Sequence, residues 1–182
     1  ASAINIEVVN MLNTRYVIQP SSQGQPQAIL NPNAYGAAWF AQKVEIVPDA
    51  NSEMQALRKV NLRTTAVVDE RFAGEALRAL PAQPKDSTAS ISIVSYTPKE
   101  IVYKTQNKGR ALAVCSEIYY PEGWHATIDD KETEILRADY VLRAVIVPGG
   151  EHTLRFTFSP RSISTLEAIA WSASILLLLM AL

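Results

Sequence analysis

The stretch Tyr140–Phe158, YVLRAVIVPGGEHTLRFTF, decides the fold class because two strand patterns flank a turn signal. In its second half, Leu154, Phe156 and Phe158 alternate with polar residues, so one strand face is apolar and the other is polar. The intervening PGGE is typical of a turn. The stretch therefore predicts two β-strands, of which the second packs one face against a core.

The alternation of strand patterns with turn signals extends upstream to Ala89. Short strand patterns (SISIVSY, IVYKT, LAVCSEIYY and HATI) alternate with turn signals (Pro98, QNKGR, PEGW and DDKE). Regularly spaced short strands with such punctuation are typical of antiparallel sandwiches and barrels. We expect residues 89–160 to form an antiparallel β-sandwich of jelly-roll-like type.

The N-terminal part mixes helix and strand patterns, which makes the whole chain α+β. Residues 1–80 are predicted to form a small mixed α/β subdomain, and the proline-containing residues 81–88 a linker. AWFAQKVEIV, residues 38–47, is expected to be one strand. Ser52 and Gln55 have the spacing of a capping box, which predicts a helix with Met54, Leu57 and Val60 on one side.

The C-terminal segment 161–182 is predicted to be an apolar helix. No charged residue occurs from Ala168 onward, and Ile175–Leu179 is apolar around the whole helix circumference. A bilayer span needs about 20 residues, so about 15 charge-free residues predict a truncated transmembrane helix, with residues 166–182 in lipid. The alternative is a helix buried in the protein core.

Charge and metal-ligand patterns exclude several functions. The 182 residues carry a formal net charge of -1 without a basic patch, which argues against nucleic-acid binding. Cys115, His125 and His152 lack the short spacing of a metal site. No cofactor motif is present, so neither a metal nor another cofactor is expected.

Acidic residues offer one enzymatic interpretation. Glu117 and Asp129 could act as the acid and base of a glycan-active enzyme. Asp129 and Asp130, however, fall where a hairpin turn favours aspartate, and Glu117 shares its strand face with apolar residues. A structural ion pair between Glu117 and Arg143 on a neighbouring strand is therefore the simpler expectation.

Aromatic residues offer a binding interpretation. Tyr119, Tyr120, Trp124 and Tyr140 could form a platform on which a sugar stacks, although such residues in strands more often pack internally. Together with Glu117 and Arg143, they are the predicted ligand-binding residues. No residue is assigned a catalytic role.

Several segments resemble the YfhO family of bacterial multi-spanning membrane proteins. They are LAVCSEIYYPEGWHATIDDKE (112–132), RADYVLRAVIVPGGEHTLRFTFSP (137–160), MLNTRYVI (11–18) and NPNAYGAAWFAQKVEIV (31–47). The resemblance covers the chain from about Ile4 to Leu182. Asp130 departs from it, since the family more usually has glycine there.

The resemblance implies a cell-membrane protein whose folded part lies on the extracytoplasmic side between two transmembrane helices. It further implies a GT-C-like glycosyltransferase that uses a lipid-linked sugar for cell-envelope glycosylation, with its catalytic carboxylate outside this chain. This chain would then be an accessory or binding domain. Its expected partners are the rest of the parent protein, membrane lipid, and a glycan or lipid-linked sugar. A purely structural brace for the membrane helices is the remaining alternative.

Overall fold

The structure, a computed structural model, describes residues 4–22, 24–84, 86–160 and 171–172. The helices are α1 (Ile6–Met11), α2 (Ala50–Ala56) and α3 (Glu75–Arg78), with a 3-10 helix at Glu70–Phe72. The strands are β1 (Tyr16–Pro20), β2 (Pro26–Leu30), β3 (Ala38–Ala41), β4 (Lys43–Val47), β5 (Thr65–Asp69), β6 (Ser90–Thr97), β7 (Glu100–Asn107), β8 (Ala111–Ile118), β9 (Trp124–Ile128), β10 (Lys131–Thr133), β11 (Leu136–Ala138), β12 (Leu142–Val147) and β13 (Gly150–Phe158).

Two antiparallel sheets dominate the molecule. A five-stranded sheet has the order β10-β9-β13-β7-β6, and a four-stranded sheet has the order β11-β12-β8-β3. The pair β1-β2 forms a separate antiparallel hairpin, whereas β4 and β5 pair in parallel. The antiparallel architecture agrees with the predicted β-sandwich, and its jelly-roll-like topology stays a prediction.

One apolar core lies between the two large sheets. Tyr103, Leu154 and Phe156 contribute from the five-stranded sheet, and Cys115 and Val145 from the four-stranded sheet. Leu154 and Phe156 are fully buried, as the alternation along β13 predicted. The rings of Tyr103 and Phe156 meet edge to face at 6.1 Å.

A second core covers the opposite face of the four-stranded sheet. There Leu112 and Val114 of β8 join a cluster with Leu62 and Val67 from the N-terminal part. The first five residues of β8, ALAVC, are consequently buried on both faces, which explains why this part of the strand is a continuous apolar run.

The prediction of a single strand over residues 38–47 is wrong, because the strand is interrupted at Gln42. The amides of Gln42 and Lys43 both donate to the carbonyl of Thr64, at 2.8 and 3.2 Å. Before this point β3 pairs with β8, and after it β4 pairs with β5. The four-stranded sheet thus contains a strand from the N-terminal part, while the boundaries 1–80, 81–88 and 89–160 stay a prediction.

Helix α2 begins three residues earlier than the capping-box pattern predicts. Asp49 is its N-cap, and its Oδ1 accepts a hydrogen bond from the Ser52 amide at 2.8 Å. Asp49 thus provides the cap that the pattern assigned to Ser52. Leu57 is buried as expected, but Met54 is 44% exposed, and Val60 lies beyond the end of the helix at Ala56.

The predicted apolar helix at 161–182 lies outside the described residues, except for Trp171 and Ser172. Among the helices that the structure describes, none is long and apolar enough to cross a bilayer.

Candidate functional site

Three of the predicted aromatic residues meet at a surface cleft of about 210 Å³ beside the β8–β9 connection. Tyr119, Tyr120 and Trp124 line this cleft. The remaining lining residues are Pro121, His125, Ala126, Glu132, Thr133 and Ile135. The aromatic cleft therefore combines ring surfaces with hydrogen-bonding side chains.

The backbone of the β8–β9 connection fixes these aromatic residues. The Tyr119 amide donates to the Val141 carbonyl at 2.7 Å, and the Ser159 amide donates to the Gly123 carbonyl at 2.6 Å. Gly123 has a φ of +87°, and a Cβ at this position would lie 2.8 Å from Cβ of Pro160. Only glycine combines this conformation with such close packing.

Arg143 supports the cleft from beneath and does not line it. Its guanidinium carbon lies 4.3 Å from the centroid of the Trp124 ring and 5.1 Å from that of Phe156. Nη2 donates to the Ile118 carbonyl at 3.3 Å. Arg143 is buried, and burial lowers its pKa. One face of Trp124 is therefore occupied by a cation–π contact within the protein.

The predicted ion pair between Glu117 and Arg143 is wrong as a direct contact. The register of β8 against β12 shifts between Leu142 and Arg143, which pairs Arg143 with Cys115. The charge of Glu117 nevertheless acts on Arg143, where it opposes the lowering of the arginine pKa by burial. The carboxylate of Glu117 also acts on Tyr96, where its negative charge raises the tyrosine pKa.

Tyr140 does not line the aromatic cleft. It follows Asp139 in the turn between β11 and β12, and both residues have positive φ angles. The Tyr140 amide donates to Oε1 of Glu53 at 2.9 Å, and its ring lies 5.3 Å from the guanidinium carbon of Arg137. Tyr140 therefore belongs to a different polar cluster.

That second cluster contains three buried carboxylates that the sequence analysis missed, Glu53, Asp69 and Asp139. Arg137 donates to Oε2 of Glu53 at 2.6 Å and also lies 3.8 Å from Oδ2 of Asp69. The Val67 amide donates to Oδ1 of Asp139 at 2.8 Å. Asp69 comes directly after the apolar residues of TAVVD. A carboxylate at the end of a buried strand was the sequence feature that could have indicated this cluster.

The environment separates the pKa values of these carboxyl groups. Hydrogen bonding to Arg71 lowers the pKa of Asp69 to about 2. Burial raises the pKa of Glu53, and burial raises that of Asp139 to about 7. The cluster holds β5 against the β11–β12 turn through these contacts.

Asp129 has the turn role that the sequence predicted. Asp129 and Asp130 have φ angles of +49° and +65° between β9 and β10. Oδ2 of Asp129 lies 2.6 Å from Nδ1 of His152, and Oδ1 accepts from the Thr153 amide at 2.9 Å. The hydrogen bond between Asp129 and His152 lowers the pKa of Asp129 and raises that of His152.

The structure does not bring Glu117 and Asp129 together as an acid–base pair. Asp129 directly follows the last residue of β9. Glu117 lies near the opposite end of that strand, because it acts on Arg143, whose guanidinium stacks on Trp124, the first residue of β9. Five strand residues span roughly 16 Å. Among the described residues, no three His, Cys, Asp or Glu side chains are grouped to hold a metal ion.

Comparison with known families gives one assignment. The family model described as "Bacterial membrane protein YfhO" matches residues 55–170. This range includes β5 to β13 and thus both strands that flank the aromatic cleft. No curated protein and no solved structure matches the chain. The matched range covers most of the chain, and the chain therefore belongs to the YfhO family of bacterial membrane proteins.

Proposed function

We propose that this chain is an extracytoplasmic accessory domain of a multi-spanning membrane protein, and that its aromatic cleft binds a glycan. The parent would be a GT-C-like glycosyltransferase that takes its sugar from a lipid carrier, as the family resemblance implies. The observation that carries the binding role is the meeting of Tyr119, Tyr120 and Trp124 in one cleft.

The chemistry of the aromatic cleft suits a sugar ring. Aromatic surfaces complement the apolar faces of sugars, and polar groups beside them fix a ligand's orientation. Glu132 and His125 supply such groups for sugar hydroxyls. Since Arg143 occupies one face of Trp124, the exposed Tyr120 provides the freer ring surface.

The size of the cleft limits what it binds. Sites for drug-sized molecules start at about 300 Å³, which is larger than the 210 Å³ observed here. The cleft therefore accommodates one sugar unit of a longer glycan, and we expect weak binding. Weak contact with an acceptor chain is compatible with an accessory role beside a separate catalytic centre.

Glycan titrations of the full chain and two matched variants test this proposal. The probes are soluble oligosaccharides of glucose, galactose and N-acetylglucosamine, and binding is followed by chemical-shift changes. Tyr120→Ala removes a side chain that is 53% exposed, and it should abolish the changes at the cleft. Ile93→Ala removes a 41% exposed side chain from β6. This strand lies at the edge of the five-stranded sheet opposite to β10 and β9, so the variant should leave binding intact.

Trp124→Ala provides a second test but also removes the support of Arg143. Its folded state therefore needs to be checked by circular dichroism before its titration is interpreted. If none of the probes shifts resonances at the cleft, or if Tyr120→Ala and Ile93→Ala weaken binding equally, the binding proposal is wrong.

A further inference from the structure

The β1–β2 hairpin exposes an apolar face that no other part of the described chain covers. Its register places Tyr16 opposite Leu30, Ile18 opposite Ala28, and Pro20 opposite Pro26. Because side chains alternate between faces along a strand, these residues share one face. All of them are exposed, with Ile18 at 74%. Contiguous exposed apolar surfaces of this kind mark interaction sites.

The hairpin also lacks charge. No Asp, Glu, Lys or Arg occurs between Arg15 and Lys43, although charged residues are distributed through residues 43–167. The tip contains serine, glutamine and glycine, which are polar but uncharged. A surface without charges avoids the large cost of bringing ionised groups toward a low-dielectric medium.

The hairpin starts at the end of the sandwich from which the C-terminal segment leaves. The Ser116 hydroxyl, near the end of β8, donates to the Met11 carbonyl at 2.9 Å, just before the hairpin begins. The chain after β13 contacts the β8–β9 connection at the same end through the bond from Ser159 to Gly123. Beyond this point the sequence continues to the charge-free residues 168–182.

From this placement we propose that the apolar face of the β1–β2 hairpin docks on the lipid bilayer surface. Both outer edges of a two-stranded hairpin leave backbone groups unpaired, and such groups are not tolerated in the hydrocarbon core. The hairpin therefore lies at the level of the headgroups, where Tyr16 is a favourable residue. The bilayer contact does not depend on the aromatic cleft or on its glycan.

A fluorescent label on the full chain tests the bilayer contact. Cys115 is fully buried and burial raises its pKa to about 12, so it does not compete for a thiol-reactive label. Ile18→Cys carries an environment-sensitive nitrobenzoxadiazole label on the hairpin, and Met54→Cys carries it on α2 as the control. Vesicles of phosphatidylglycerol and phosphatidylethanolamine are then added.

We expect a blue shift and a severalfold rise in emission for the label at position 18, and little change at position 54. A lipid quencher placed near the glycerol should quench the label at position 18 more strongly than one at the acyl-chain end. Unchanged emission at position 18 would overturn the proposal, and so would equal changes at both positions. A blue shift that needs no vesicles and grows with protein concentration would show that a second copy covers the hairpin instead.

Discussion

Arg143 is a charged residue held inside a β-sandwich largely by aromatic packing. Its guanidinium stacks on Trp124 and Phe156, while Nη2 reaches the Ile118 carbonyl. Alternation along the strand places Arg143 on the same face as Val145, which is buried in the core between the sheets. It could not reveal the bulge that pairs Arg143 with Cys115 and not with Glu117, since a register shift depends on how two strands pair.

We expect Arg143→Ala to lower the free energy of unfolding by on the order of 2–4 kcal/mol, because it leaves a cavity beneath Trp124. Arg143→Met should recover most of this loss, since an apolar side chain of similar length avoids burying a charge. Urea unfolding followed by tryptophan fluorescence measures both variants. Equal losses in the two would show that the charge, and not the packing, stabilises the site.

Asp139 should give the stability a distinct pH dependence. Its folded-state pKa of about 7 exceeds the unfolded value of about 3.9. At low pH the carboxyl group is protonated in both states, and Asp139 then causes no loss of stability. As pH rises from about 4 to about 7, the unfolded state ionises first and the folded state loses stability. Above about 7 the loss stays constant.

Asp139→Asn should remove this loss, because the amide keeps an acceptor for the Val67 amide and carries no charge. Relative to wild type, its stability should rise with pH up to about 7, by on the order of 2–4 kcal/mol. Unfolding at several pH values measures this difference. Asp130→Asn, at an exposed position that also has a positive φ, is the control. A difference independent of pH would contradict the assignment.

Among the elements, those with strong local signals were predictable and those set by distant contacts were not. The turn at Asp129 and Asp130 and the alternation along β13 follow from local chemistry. The break at Gln42 depends on the Thr64 carbonyl, which lies in a different part of the sequence. The aromatic cleft was predictable for residues 119–124, which are adjacent in sequence, whereas Tyr140 reaches another cluster through the chain topology.

The β8–β9 connection gives a prediction at the scale of an element. Gly123 and Gly36 both have a φ of +87°, but only a Cβ on Gly123 would clash, at 2.8 Å from Pro160 and 2.9 Å from Phe158. Gly36→Ala should cost about 1 kcal/mol through backbone strain alone. Gly123→Ala should cost about 1–3 kcal/mol more, since the connection must shift. Equal shifts of the urea midpoint would show that the connection adapts freely.

Across the whole molecule, layering sets the order of local stability. Strands β8 and β12 lie in a sheet that has an apolar core on each face. The β1–β2 hairpin, in contrast, pairs only with itself and has exposed side chains along both strands. Isolated two-stranded hairpins are only marginally stable in water. The central sheet should therefore open only when the whole protein unfolds, while the hairpin opens locally.

Amide hydrogen exchange of the full chain measures this order. Without lipid, amides of Val114 and Val145 should exchange more slowly by several orders of magnitude than those of Ile18 and Ala28, which pair across the hairpin. Adding vesicles should slow exchange in the hairpin and leave β8 unchanged, because lipid contact protects only the surface that it covers. If the hairpin is as protected as β8 before lipid is added, its apolar face is already covered in solution, and the layered account of stability fails.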